Sequence, residues 1–349
     1  MPRKKQLARS AFLKRIKDTI RFYDMLDKGD RVLAAVSGGP DSICLLKVLL
    51  EFKRAFSIEV AVLNMDHVLR GEESKNDSEF VKAFCESLGV ECICEEIDVR
   101  ARREKGLSIE EAARKLRYEF FQKSAVRKKF NVIATGHTMD DQAETVLMRF
   151  IQGTSLTGIA GIPPLRHEGD VKFIRPLIRV EKKEIILFLQ KEKIKYVQDS
   201  SNLETKFTRN KIRREVMPFL EKYNPSIKRT LVNFTDALRE DIAFIKAERK
   251  KIIKQYVKGK KKSASVLIRD ILLQPGALRK EILKALFAKA GGNVKKLTYR
   301  HWMDMDRFLI TAEKGKSLDL PGKVMLLKTR DKLVFEKSDQ YLGLGKVIK

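Results

Sequence analysis

Cysteine is scarce in this chain: Cys44, Cys85, Cys92 and Cys94 are the only four in 349 residues. So few thiols in so long a chain make no disulfide framework. Nor do they form a CxxC pair. Cys92 and Cys94 alternate within VECICEEIDV and so share one strand face, without the spacing of a zinc or cluster site. This usage fits a reducing, cytoplasmic compartment. Long apolar runs are missing too: the stretch from Ile43 to Leu50 is short and broken by charge, which excludes a membrane-spanning helix there. The N-terminal MPRKKQLARSAFLKRIKDTI lacks the continuous apolar core and small-residue cleavage site of a signal peptide. No lipidation signal is present, which makes a lipid surface the weaker alternative as partner, and no internal repeat or sustained heptad is visible. Acid is in deficit: Asp+Glu number 46 against 73 Lys+Arg, leaving a formal charge of +27. An excess of that size points to an anionic polymer as partner, because each neutralised phosphate releases counterions.

What is present reads as alternating strands and helices over a core fed by 43% hydrophobic residues. RVLAAVS, IEVAVLNMD, ECICEEIDV and NVIATG read as buried strands. Helical stretches fall at 41–55, 74–88, 109–129, 140–152 and 181–193, and Phe12, Ile16 and Ile20 form one stripe of an N-terminal amphipathic helix. The alternation predicts a doubly wound parallel α/β sheet, Rossmann-like, with ligands bound beyond the carboxyl ends of its strands. A long helical pattern follows over 226–255, and KKIIKQYVKGKKKSAS reads as a lysine-dense linker. A helix at 277–290 and strand signals in SLDLPGKVMLLKTRDKLVFEK complete a smaller α/β or mostly helical C-terminal domain. The expected organisation is a catalytic domain over 1–224, a helical linker region over 225–262 and a C-terminal domain over 263–349.

The unusual residues fall at the predicted strand ends. SGGPDS, residues 37–42, follows the first strand. Gly38 and Gly39 let a phosphate approach the backbone, and the helix starting near Asp41 offers free N–H groups and the positive end of its dipole. Ser37 and Ser42 add hydroxyls. The lysine of GxxxxGK[ST] is absent, as is the GxGxxG of dinucleotide binders. Asp41 is compatible with a phosphate only across a divalent cation, so Mg²⁺ is implied. After the second strand come Met65, Asp66, His67, Leu69 and Arg70, where a strand-end backbone could meet an adenine edge. Ser108 and Glu111 fit a capping box, and Arg114, Arg117 and Tyr118 then share one helix face, either as a solvated basic stripe or as a substrate-facing one. In TGHTMDDQAET, His137 follows the fourth strand, while Asp140, Asp141 and Glu144 occupy the next helix's first turns. Three acids and a histidine beside a phosphate loop call for a cation, either Mg²⁺ or the ammonium of an amine substrate. TRNKIRREVMPFL adds Arg209, Lys211, Arg213 and Arg214 where the domain closes, with Asn202 and Asn210 punctuating the segment.

With these motifs the sequence resembles the PP-loop ATP pyrophosphatases, whose adenine nucleotide α-hydrolase-like fold serves cleavage of ATP between its α and β phosphates. NMDHVLRG, ARKLRYEFF, GHTMDDQAET, GTSLTGIAGIPP, and DSSN followed by TRNKIRREVMPFL are similar to one branch, the tRNA(Ile)-lysidine synthetases. The similarity covers roughly residues 30 to 222, and LDLPGKVMLL resembles the end of that family's second domain. Asn64 departs from it, standing where the family commonly has histidine. The resemblance implies adenylation of C2 of the wobble cytidine, position 34, in the CAU anticodon of a minor isoleucine tRNA. The ε-amine of free L-lysine then displaces AMP. It implies ATP bound by Ser37, Gly38, Gly39, Pro40, Asp41, Ser42 and Met65, and Mg²⁺ on Asp41 and Asp141. Asp141 and Glu144 are expected to receive the lysine ammonium, and His137, Arg114, Arg209 and Arg213 to position phosphate, intermediate or substrate. The C-terminal domain is expected to bind tRNA, and relatives are commonly dimeric. The rival readings are a PP-loop thiolase acting on C2 of a pyrimidine, which usually carries CxxC pairs or a persulfide cysteine, an amidating synthetase, and a non-catalytic tRNA-binding protein.

Overall fold

A computed structural model of the chain describes residues 2–66, 72–99, 101–104, 106, 108–197, 207–260 and 262–337. The chain forms two compact units that divide after Arg239.

The first unit is built on a six-stranded sheet of order β3-β2-β1-β4-β6-β5. Its strands are β1 (Arg31–Ala35), β2 (Glu59–Asp66), β3 (Cys92–Glu96), β4 (Val132–Ala134), β5 (Leu165–Glu168) and β6 (Val171–Ile174). The helices are α1 (Pro2–Phe22), α2 (Pro40–Phe52), α3 (Glu72–Ser87), α4 (Ile109–Lys128), α5 (Met139–Gln152), α6 (Leu156–Ile159) and α7 (Lys182–Lys191). Val32, Leu33 and Ala34 of β1 are wholly buried, because helices cover both faces of a central parallel strand. Val32, Ala34, Val62, Val132 and Ile174 face the cluster fed by α1, α2 and α7. Leu33, Ala61, Leu63, Ile133 and Phe173 face Phe120, Phe121 and Ala125 of α4. The predicted stripe on α1 is core: Phe12, Ile16 and Ile20 are buried, and Phe12 stacks on Phe188 of α7 at 4.7 Å between ring centroids. Each such side chain contributes about 1.5–3 kcal/mol of burial.

One strand departs from the all-parallel expectation. β5 pairs antiparallel with β6 in a hairpin, Leu165 opposite Ile174. Its residues LRHE are half-exposed and lack clean alternation, as an edge strand with one neighbour permits.

The order of the strands fixes where a ligand can sit. From β1 the chain runs outward through β2 and β3, then returns to place β4 on the other side of β1. The loops after β1 and β4 therefore diverge from one crevice at the carboxyl edge, the topological switch point of an open α/β sheet.

Beyond residue 206 come α8 (Phe207–Lys211), a π-helical turn over Ile212–Val216, α9 (Met217–Tyr223) and α10 (Ile227–Tyr256). Pro218 has no N–H to return to the preceding turn, and the backbone widens into the π turn just before it. The division between the units falls inside α10.

The second unit carries a five-stranded antiparallel sheet of order β7-β8-β11-β10-β9. These strands are β7 (Lys258–Lys260), β8 (Ser263–Leu267), β9 (Ser317–Leu320), β10 (Val324–Lys328) and β11 (Lys332–Lys337). Helices α11 (Ile268–Leu272), α12 (Gly276–Lys289) and α13 (Tyr299–Thr311) accompany them, with a 3₁₀ turn at Val294–Lys296. Leu283, Leu286, Phe287, Met305 and Leu309 pack against Val266, Leu326 and Phe335. The lysine-dense segment read as a linker thus supplies two strands, since Ala264 and Val266 alternate inward and pair with β11. No helix among the described residues is long and apolar enough to cross a membrane.

Candidate active site

The phosphate loop is held open by its own serines. Ser42 Oγ accepts from the Ser37 backbone N–H at 3.1 Å and donates to the Gly39 carbonyl at 2.9 Å. Gly38 has φ +86°, a left-handed conformation, and a Cβ there would lie 3.3 Å from Val197. Gly39 is the residue before α2 and Pro40 its first, where a missing N–H costs nothing. Beneath the loop, Asn64 donates from Nδ2 to the Val36 carbonyl at 2.9 Å. Met65, one residue before the end of β2, lies on the opposite face, half-buried beside the α4 cluster.

The β4–α5 loop closes against this turn. Thr135 donates its backbone N–H to Ile174 at 3.0 Å, and a Cβ on Gly136 would lie 3.1 Å from the Asp41 carbonyl carbon and oxygen. Any larger residue would press on that backbone by a few tenths of an ångström. Thr138 then caps α5: Asp141 Oδ2 accepts from the Thr138 N–H at 2.9 Å and from its hydroxyl at 3.0 Å. His137 Nδ1 lies 2.9 Å from the Thr135 hydroxyl. Burial, reinforced by the nearby Arg175, Arg114 and Arg209 charges and only partly offset by Asp141, lowers the imidazole pKa to about 4, so it is neutral at pH 7.

Guanidinium groups answer the acids of α5. Arg209 donates from Nε to Glu144 Oε2 at 2.9 Å and from Nη2 to Asp141 Oδ1 at 3.0 Å. Arg213, on the π turn, donates from Nε to Glu144 Oε1 at 2.6 Å and from Nη2 to Oε2 at 3.0 Å. Glu144 is only 3% exposed, so its charge rests on these two forks. Burial alone would raise the Asp141 pKa, but His137, Arg209 and the Thr138 hydrogen bonds outweigh it and hold the carboxyl below its ordinary value.

Asp41 is differently placed. Its Oδ2 meets Lys182 Nζ at 3.2 Å, while Oδ1 is buried without a hydrogen-bond partner. Burial raises its pKa, and Asp141 and Asp140 add to the rise against the opposing pull of Lys182. A buried carboxylate oxygen short of positive charge at the mouth of a phosphate loop fits Mg²⁺, which needs one or two carboxylates and otherwise takes phosphate oxygens and water. Asp141 has both oxygens engaged, by Thr138 and Arg209. No group of three or more His, Cys, Asp or Glu side chains able to hold a metal occurs among the described residues.

The structure thus gathers Ser37 to Ser42, His137, Asp141, Glu144, Arg209 and Arg213 about one crevice. Arg114 projects from α4, exposed, with its guanidinium 5.3 Å from the Tyr118 ring centroid and close enough to His137 to act on its charge. Lys211 and Arg214 are exposed. His67, Leu69, Arg70 and Asn202 lie outside the described residues. Three participants escape a reading of motifs. Gly136 lies within TGHTMDDQAET, but nothing in that motif shows that it closes against the Asp41 backbone. Lys182 stands at the start of α7, where a cation opposes the helix dipole. Gln142 ties the glycine-rich connection down, accepting from Ile162 N–H at 2.6 Å and donating to Thr235 Oγ1 at 3.0 Å.

Comparison with known proteins places the chain in a family. The PP-loop domain family matches residues 9–220. A tRNA(Ile)-lysidine synthase of Clostridioides difficile is 32% identical over 328 residues, covering 93% of this chain and 70% of that protein. One from Caldanaerobacter subterraneus is 32% identical, with 94% and 70% covered. The bifunctional protein TilS/HprT of Listeria monocytogenes is 33% identical, and the chain spans 50% of its length. Among solved structures, the U34-tRNA thiolase NcsA of Methanococcus maripaludis, with its [4Fe-4S] cluster, superimposes with a TM-score of 0.57. It is 22% identical, with 66% of this chain and 80% of that one covered, and so shares the fold alone. A PP loop at the switch point, the Asp141–Glu144–Arg209–Arg213 cluster beside it and relatives of this kind lead to one assignment: the chain belongs to the PP-loop domain family and, within it, to the tRNA(Ile)-lysidine synthases.

Proposed function

We propose that this chain ligates free L-lysine to C2 of cytidine 34 in the CAU anticodon of a tRNA(Ile), consuming ATP and releasing AMP and pyrophosphate. The observation that carries this reading is the meeting, in one crevice, of a phosphate loop without its own lysine and an acidic pair held by two arginines. The loop grips a pyrophosphate that departs, and AMP passes to the base.

In the first step the cytidine O2 bonds to the α-phosphorus. The α-phosphorus–oxygen bond to the β-phosphate breaks, and pyrophosphate leaves with the electron pair. The N–H groups at the start of α2 and the exposed Ser37 hydroxyl are the donors available to that leaving group, while Ser42, bonded to Ser37 N–H and the Gly39 carbonyl, shapes the loop. Mg²⁺ on Asp41 supplies charge neutralisation for the phosphates when bound. In the second step the lysine ε-amine attacks C2, the C2–O bond breaks, and AMP leaves. The attacking amine must be neutral, so its proton goes to a carboxylate, and Asp141 or Glu144 takes that role once Arg209 or Arg213 turns to the phosphate of the intermediate. His137, neutral at working pH, is suited to hydrogen-bond the adenylate without adding charge. The basic second unit takes the tRNA, and the reaction belongs in the cytoplasm.

A thiolase reading is not favoured: Cys44 and Cys85 are buried, and Cys92 and Cys94 sit on β3, with no metal-holding set among the described residues. The test is incubation with ATP, radiolabelled lysine and tRNA transcripts that differ only at position 34. Label entering the C34 transcript alone supports the reading; ATP consumption with no lysine incorporated refutes it.

A further inference from the structure

The phosphate loop has one titratable group, Asp41, and that group is negative. Mg²⁺ on Asp41 would offset only part of the charge of a triphosphate, so a further cation from elsewhere in the fold would favour its binding. The side chain that arrives is Lys182, whose Nζ lies 3.2 Å from Asp41 Oδ2. Its placement costs the helix it stands on. Lys182 is the first residue of α7, at the positive end of the dipole, where an acidic residue would stabilise and a lysine does the reverse. Glu181 and Glu184 already close a capping box there, so the helix has no need of Lys182 for its own termination. Its backbone is fixed nonetheless: the Lys182 N–H donates to Asp140 Oδ2 at 2.7 Å, which ties the root of the side chain to the start of α5. The side chain stays 40% exposed, so its ammonium can turn from Asp41 toward a ligand in the crevice.

We infer that Lys182 is the cation the loop itself lacks, binding the β- and γ-phosphates of ATP and holding the pyrophosphate as it leaves. Without nucleotide it neutralises Asp41 and keeps the loop from carrying a bare charge. With nucleotide bound, Asp41 is free for Mg²⁺ and Lys182 moves to the phosphate oxygens. As the bond from the α-phosphorus to the bridging oxygen breaks, the electron pair stays with pyrophosphate, next to the ammonium. The inference rests on reading the crevice as an ATP pyrophosphatase site and is independent of which amine or nucleic acid follows.

The experiment compares AMP with a non-hydrolysable α,β-methylene ATP analogue by calorimetric titration in the presence of Mg²⁺, without tRNA or lysine. Lys182→Met is expected to weaken the analogue about 10- to 100-fold, the range for losing one charged hydrogen bond, while AMP binding stays unchanged. Lys182→Arg is expected to restore most of the difference, and thermal melting of both variants to match the parent chain. Equal affinity for the analogue in Lys182→Met overturns the inference. So does a parallel loss for AMP, which would make Lys182 a support for Asp41 only. A parent chain that binds neither nucleotide removes the ATP site itself, whatever Lys182 does.

Discussion

Asp141 and His137 sit side by side at the start of α5, and their environments push them in different ways. Asp141 is held ionised by Arg209 and the Thr138 hydrogen bonds against the pull of burial. His137 is held neutral by that same burial and by three neighbouring arginines. Between about pH 4, its value in the folded chain, and 6.5, its ordinary value, the unfolded chain binds a proton that the folded chain refuses. Stability therefore rises with pH through that window, complete above 6.5 and lost by about 4. Urea midpoints measured across this range should climb in the parent protein and climb less in His137→Gln. The contribution of Asp141 falls in a separate window, lost only as pH drops below its ordinary 3.8 toward its depressed value. Asp141→Ala removes the cap acceptor and a partner of Arg209 together, and lysidine formation should cease; an unchanged rate would take Asp141 out of the mechanism. Glu144→Ala leaves the Arg213 fork and the Arg209 Nε without their acceptor, while Arg209 keeps its bond to Asp141. The variant should lose about 1–3 kcal/mol of stability, read as a lowered urea midpoint, as well as activity.

At the scale of elements, the close contact of the β4–α5 loop with α2 is the feature most sensitive to a single methyl group. Gly136→Ala would put a Cβ 3.1 Å from the Asp41 carbonyl. Either α2 or the loop must shift, so the KM for ATP should rise several-fold, with a stability loss of about 1–3 kcal/mol. An unaltered KM would mean that the crevice tolerates a wider loop. The π turn is the second such feature. Pro218→Ala returns an N–H to the helix and lets the turn tighten, rotating Arg213 away from Glu144. Activity should fall while the melting temperature holds or rises, a pairing that separates geometry from stability. These same elements mark how far the sequence could be read. The first four parallel strands and the helices between them were legible, because a buried strand such as RVLAA and an amphipathic stripe such as Phe12, Ile16 and Ile20 carry their period in the residue types; β6, also parallel, is only four residues long and was not. β5 was not, since LRHE pairs on one side only and has no face to keep apolar. β7 and β8 hid among lysines, with only Ala264 and Val266 signalling the sheet. Within the site, acids and histidine announced themselves by spacing. Their partners did not: Arg209 and Arg213 reach Glu144 from more than sixty residues away, and nothing local in TRNKIRREV specifies which carboxylate they meet.

For the whole molecule the governing quantity is its charge of +27. Most of that excess lies outside the crevice, so it acts on a polyanion rather than on a nucleotide. Affinity for tRNA should fall steeply as salt rises from about 50 to 200 mM, by about 10³ or more if six or more phosphates are contacted. The affinity for ATP, set by a few partly buried contacts, should change much less over the same range. Filter binding and nucleotide titration at matched salt would check the pair, and equal slopes would contradict a large phosphate footprint. The central claim, that the PP loop and the α5 acids serve transfer of lysine to an adenylated cytidine, is tested most directly by incorporation of labelled lysine into CAU transcripts. The account predicts label in the C34 transcript, none in a U34 counterpart, and one AMP released per lysine incorporated. Label in both transcripts, or AMP released without any lysine transfer, would contradict it.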